Sequence, residues 1–110
     1  MTENKVYSLI GFAKKAGRLK VGYNACLSEI ERNKEILCII ANDASDNTKK
    51  KIIRKCINKE VVFFEFGDRE KMGKLLRKEY VSVICMIHED FIRPVWKYLT
   101  LLDKKNNLGV

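Results

Sequence analysis

Apolar positions along this chain recur with two different periods. Val6, Leu9, Ile10, Ala13 and Ala16 return every three or four residues, which predicts an amphipathic helix over 4–16 ended by Gly17. The same period reappears from Tyr23 to Asn33, with Cys26, Leu27 and Ile30 inside and Ser28, Glu29, Glu31 and Arg32 outside. A third helix, with Ser45 as its cap and Asp46 in its first turn, turns Ile52, Ile53, Cys56 and Ile57 inward. Its outer face carries Lys49, Lys50, Lys51, Arg54 and Lys55. A fourth helix, from Arg69 to Lys78, buries Met72, Leu75 and Leu76. Gly73 inside it costs roughly 1 kcal/mol relative to Ala and points to close packing against a neighbour. The last helix begins near Glu89, with Pro94 in its first turn and Phe91, Ile92, Val95, Trp96 and Leu99 facing inward. After Leu102 the polar tail, 103–110, is expected to fray.

Between the helices the pattern shortens. Ile36 to Ala41 is an unbroken, β-branched apolar run, as in a central strand covered on both faces. Val61 to Phe66 and Val81 to Ile87 read as further strands. Arg18 to Val21 alternates charge and apolar side chain at period two, so Arg18 and Lys20 share the solvent face of a short extended segment. Helices alternating with strands predict one α/β domain over 1–110, a three-layer α/β/α sandwich with helices on both sheet faces.

Charge narrows the partner. Twenty-two Lys and Arg face fourteen Asp and Glu, a net charge of +8. Residues 1–58 hold twelve of the basic and six of the acidic residues, so the excess sits mostly in the first half. Such a surface suits a polyanion, and nucleic acid is the commonest soluble one. The four cysteines, Cys26, Cys38, Cys56 and Cys85, form no C-x-x-C pair and sit among apolar neighbours, as buried free thiols in a reducing cytoplasm do. No zinc site, other metal or cofactor is expected from them with His88 alone beside. The polar amino terminus predicts no signal peptide, and no run approaches the ~20 apolar residues of a membrane span.

The strongest candidate for a binding site is Arg18 to Ala25, where the extended segment turns at Gly22 and enters the second helix. Gly22 keeps bulk away from a helix mouth whose free N–H groups and positive dipole end favour an anion. Asn24 carries both a donor and an acceptor for a base edge. Catalytic chemistry is not expected. His88 beside Glu89 and Asp90, and Asp43 after a central strand, lack any nucleophile, Gly-x-Gly-x-x-Gly or Walker loop.

Four stretches give the chain a family likeness: Leu9 to Gly17, Gly22 to Ile30, Ala41 to Lys50 with its Asp43-Ala44-Ser45-x-Asn47-Thr48-Lys49-Lys50 run, and Met72-Gly73 with the strand that follows. Together they resemble the L7Ae/L30e ribosomal-protein family, most nearly its short bacterial members, over about Val6 to Phe91. The resemblance implies an L30e-like fold with a single mixed sheet, and binding of structured RNA such as the kink-turn, a bent internal loop with sheared G·A pairs. It implies a ribosome-associated, monomeric protein that is not an enzyme and touches no membrane. The family's Gly-x-Asn-Glu-x-x-Lys motif matches here at Gly22, Tyr23 and Asn24, while its Glu and Lys positions hold Ala25 and Ser28. The loop that meets an extruded nucleotide in the family maps to Lys78, Glu79, Tyr80 and Val81, with Tyr80 placed to stack on a base. An adaptor that binds protein through a repurposed RNA face is the alternative.

Overall fold

The computed structural model describes residues 2–106. Helix α1 (Thr2–Lys15) buries Val6, Tyr7, Ile10 and Ala13. It ends in a Schellman turn: Gly17, at φ 71°, donates to Lys14, and the Arg18 N–H returns to the Ala13 carbonyl. Ala16 falls in this turn and is exposed rather than facing inward. β1 (Leu19–Val21) leads through Gly22 into α2 (Tyr23–Arg32). β2 (Leu37–Ile40) is wholly buried, as its unbroken apolar run requires. α3 (Asp46–Lys59) is capped by Ser45, whose Oγ accepts the Thr48 N–H at 3.1 Å. β3 (Val62–Glu65), α4 (Arg69–Leu75), β4 (Val83–Met86) and α5 (Glu89–Asn106) complete the chain.

The strands form one mixed sheet in the order β1-β4-β2-β3. β4 runs antiparallel to both β1 and β2, and β2 runs parallel to β3. Helices α1, α4 and α5 cover one face and α2 and α3 the other. Alternation along β2 and β4 supplies both layers: Cys38 and Cys85, partners in register, point to the α2–α3 side. There they meet Cys26 and Cys56, and all four thiols are free and buried. The facing sulfurs of Cys56 and Cys85, together with burial, push the Cys38 thiol well above its ordinary range, so it acts as a small core side chain.

Several helix faces differ from the periodic expectation. Glu29 is buried, not exposed, and its carboxylate is held by Arg32 at 2.9 Å one turn on. Ile57 and Trp96 lie at the surface because no element among the described residues covers those sides of α3 and α5, and Leu75 stays partly open although it sits beside Gly11 of α1. Helix α4 stops at Leu75, three residues short of Lys78, since Arg77 takes up a left-handed conformation. Pro94 is the sixth residue of α5, in its second turn, where it removes the N–H that would reach Asp90. Helix α5 runs on past Leu102 to Asn106; the rest of the expected tail, 107–110, lies outside the described residues.

Candidate nucleic-acid interface

The topology fixes where the chemistry collects. β1, β2 and β3 all point the same way, so α2, α3 and α4 begin along one edge of the sheet, at the strands' carboxyl ends. This is the edge where open α/β sheets hold ligands. Two of the three helix mouths there are already closed. Ser45 caps α3, and Asp68 caps α4 by accepting the Lys71 N–H at 2.7 Å. α2 differs: its cap is Gly22, with no side-chain oxygen to offer.

The first bond inside α2 is the Cys26 N–H to the Gly22 carbonyl at 3.0 Å. The N–H groups of Tyr23, Asn24 and Ala25 therefore have no partner within the helix and face outward at its positive end. Gly22 adopts φ 101° and ψ 162°, a region closed to other residues without strain, and a Cβ there would meet nothing within 4 Å. The glycine serves the backbone turn and leaves the mouth open.

One hydrogen bond joins the two halves of the site. The Gly22 N–H donates to the Val83 carbonyl at 2.9 Å, which sets the α2 mouth beside the segment 78–82 that leads into β4. That segment is fastened twice more, by Val81 N–H to the Arg69 carbonyl at 3.1 Å and by Lys78 N–H to the Gly73 carbonyl at 2.8 Å. Lys78, Glu79 and Tyr80 are exposed, and the Tyr80 ring is 60% accessible. Val81 is buried in the core, so its side chain anchors the loop and faces no ligand. Tyr23 is half-buried against the core, leaving Tyr80 as the open ring of the two. Asn24 and Ser28 are exposed one helical turn apart, while Ala25 is half-buried.

The charges of the extended segment are spread along it. Leu19 is buried and Lys20 half-exposed in the middle of β1. Arg18 is exposed at the far end, where its carbonyl accepts the Ile87 N–H, and four steps of extended chain set it roughly 13 Å from Gly22. Arg18 thus belongs to the flank of the site and not to its mouth.

Arg69 is the residue that sequence reasoning missed. Its N–H donates to Asp43 Oδ1 at 2.9 Å, its Nε lies 3.5 Å from Asp43 Oδ2, and its guanidinium stands 5.6 Å from the centre of the Tyr80 ring. The Arg69 backbone N–H, ahead of its charge, holds the Asp43 carboxyl below the usual range. Asp43 is therefore a strut between the β2–α3 turn and α4. His88 sits past the opposite end of β4, where its Nδ1 accepts the Asp90 N–H at 3.1 Å. His88 and Asp43 are thus at opposite edges of the sheet.

Fold and corner together define a small α/β/α module in which, of the three helix mouths along this edge, that of α2 alone has no side-chain cap. Residues 4–92 match the model of the ribosomal protein L7Ae/L30e/S12e/Gadd45 family, and the chain belongs to that family. It is 36% identical over 74 residues to the RNA-binding protein YlxQ of Enterococcus faecium, covering 67% of this chain and 72% of that one. The protein of the same name from Bacillus subtilis (strain 168) is 29% identical over 97 residues, covering 88% and 94%. Among solved structures, a protein of unknown function from Bacillus halodurans C superposes with a TM-score of 0.81 at 27% identity, covering 87% of this chain and 97% of that one. The Giardia lamblia 15.5kD RNA binding protein shares the fold with a TM-score of 0.74 at 21% identity, covering 93% and 88%.

Proposed function

We propose that this chain is a non-catalytic RNA-binding protein that meets structured, kink-turn-like RNA at the α2 mouth and the loop 78–81. The observation that carries the reading is the uncapped mouth at Gly22, bonded to Val83 beside an exposed Tyr80. Both relatives cited above are called RNA-binding. In this reading Gly22 admits the backbone, Asn24 reads a base edge, and Tyr80 stacks on a splayed base. Lys20 and Lys78 contact phosphates near the mouth, with Arg18 on the flank, and Tyr23 and Glu79 line the approach. Ala25 and Ser28, in place of the family's Glu and Lys, reduce the contacts available to G·A pairs and leave phosphate attraction with a larger share of the affinity. The protein acts as a monomer in the reducing cytoplasm, on or near the ribosome.

The test is a salt titration of binding to a kink-turn RNA beside a straight duplex of equal length. The expected result is tighter binding to the kink-turn, affinity for both falling linearly on logarithmic axes, and a kink-turn preference that shrinks in Asn24→Ala. Equal affinity for the two RNAs would sink the kink-turn part, and salt-independent binding would sink the phosphate part. In the adaptor reading the same face, with Tyr23 among its aromatic residues, engages a protein instead. A pull-down whose partners survive nuclease would favour it.

A further inference from the structure

Helix α1 shows a phenylalanine to solvent. Phe12 is 57% exposed, although Ala13 beside it is fully buried. Its neighbour Gly11 leaves the helix surface bare, so that Leu75 of α4 approaches closely; a Cβ on Gly11 would touch Leu75 Cδ1 at 3.4 Å. The result is a groove of about 480 Å³ between α1 and α4, with Phe12 and Leu75 on its apolar walls. Lys14, Lys15 and Arg77 line it with Ser8 and Leu76, no carboxylate lines it, and none of these cations is ion-paired among the described residues.

Arg77 is placed there by the backbone. It stands in the left-handed conformation at φ 60° just beyond the end of α4, where glycine is the usual occupant, and Lys78 N–H closes the turn on the Gly73 carbonyl. The same turn starts the loop that carries Lys78 and Tyr80, so the groove is joined through that loop to the α2 mouth. On its other side Lys15 leads through Gly17 to Arg18 and β1.

We propose that this groove is a second RNA contact, which takes an unpaired nucleotide with its base on the Phe12 ring and its flanking phosphates on Lys14, Lys15 and Arg77. The proposal rests on the RNA reading above and extends it beyond the helix mouth. One aromatic face bordered by cations matches the alternation of base and phosphate in a single strand. A docked protein helix would ask instead for a row of apolar pockets at successive turns, and Phe12, Leu75 and the buried Leu76 form a single cluster.

The experiment compares one kink-turn RNA in blunt form with the same RNA bearing a single-stranded tail of about six nucleotides at either end. The tail tightens wild-type binding by roughly tenfold, in line with stacking of one base. Phe12→Ala and Arg77→Gly abolish that gain while binding blunt RNA as before. Arg77→Gly suits the left-handed turn, so lost affinity there reports the charge and not unfolding. Asn24→Ala weakens the kink-turn preference and keeps the gain from the tail. A tail that adds nothing, a gain that survives Phe12→Ala, or an acidic helical peptide that holds the groove against tailed RNA would overturn the proposal. Binding of tailed RNA with no preference for the kink-turn would keep the groove and remove the base-reading role of the α2 mouth.

Discussion

Gly73 and the Glu79 backbone are in contact with no room for a methyl group between them. A Cβ on Gly73 would lie 2.5 Å from the Glu79 carbonyl oxygen and 2.7 Å from that of Lys78. Rigid backbone cannot yield as a side-chain tip can, so Gly73→Ala must push the loop 78–81 off α4. The expected cost is about 1–3 kcal/mol, in spite of alanine's better helix propensity. Thermal denaturation reads the first effect. RNA affinity should fall with it, because Tyr80 and Lys78 move although neither is changed. A variant as stable as wild type would show that the loop is not seated on α4.

Gly22 poses the opposite case, a glycine with space around it and a backbone that only glycine adopts without strain. At φ 101° and ψ 162°, Gly22→Ala should lose about 1–3 kcal/mol through conformational strain alone. Urea denaturation checks this, since a purely conformational cost lowers the midpoint and leaves the slope unchanged. An unchanged midpoint would mean that the turn into α2 is free to take another form. The two glycines separate close approach from torsion as reasons for the same residue type.

Much of this was legible in the sequence because local chemistry decides it. Ser45 followed by a polar first turn and then apolar residues at helical spacing specified the start of α3, and Gly17 specified the end of α1. Periodicity tells which side of a helix is apolar but not whether anything covers it. That is why Ile57, Leu75 and Trp96 were placed inside and lie outside. Glu29 shows the converse, a carboxylate drawn into a half-closed surface by Arg32 one turn away. The joining of Gly22 to Val83 depends on β1 pairing with β4 across sixty residues of chain, and no local signal announces it. The role of Arg69 was hidden for the same reason, since its partner Asp43 is 26 residues distant.

Asp43 gives the protein a specific acid sensitivity. The Arg69 N–H holds its carboxyl below the usual range when the chain is folded, and Lys55 does the same for Glu31. A carboxylate with a depressed folded pKa binds fewer protons in the native state than in the unfolded one. Its contribution is complete above about pH 4, the ordinary value, and is lost as pH falls from there through the lowered folded value. Urea midpoints should therefore drop below pH 4 more steeply in wild type than in Asp43→Asn. Parallel curves would mean that the link between the β2–α3 turn and α4 adds nothing to stability.

Pro94 is a helix breaker placed well inside a helix. As the sixth residue of α5 it cannot donate to the Asp90 carbonyl, and its ring crowds that turn. Its ring also lines a shallow groove with Leu9 of α1 and Tyr98 of α5. Pro94→Ala restores the missing N–H and removes the clash, and these gains outweigh a half-exposed ring contact. The expected outcome is a stabilisation of about 1–3 kcal/mol, read as a higher melting temperature. A lower melting temperature would reverse the balance: the ring's packing against α1 would then be worth more than the helix bond it forfeits.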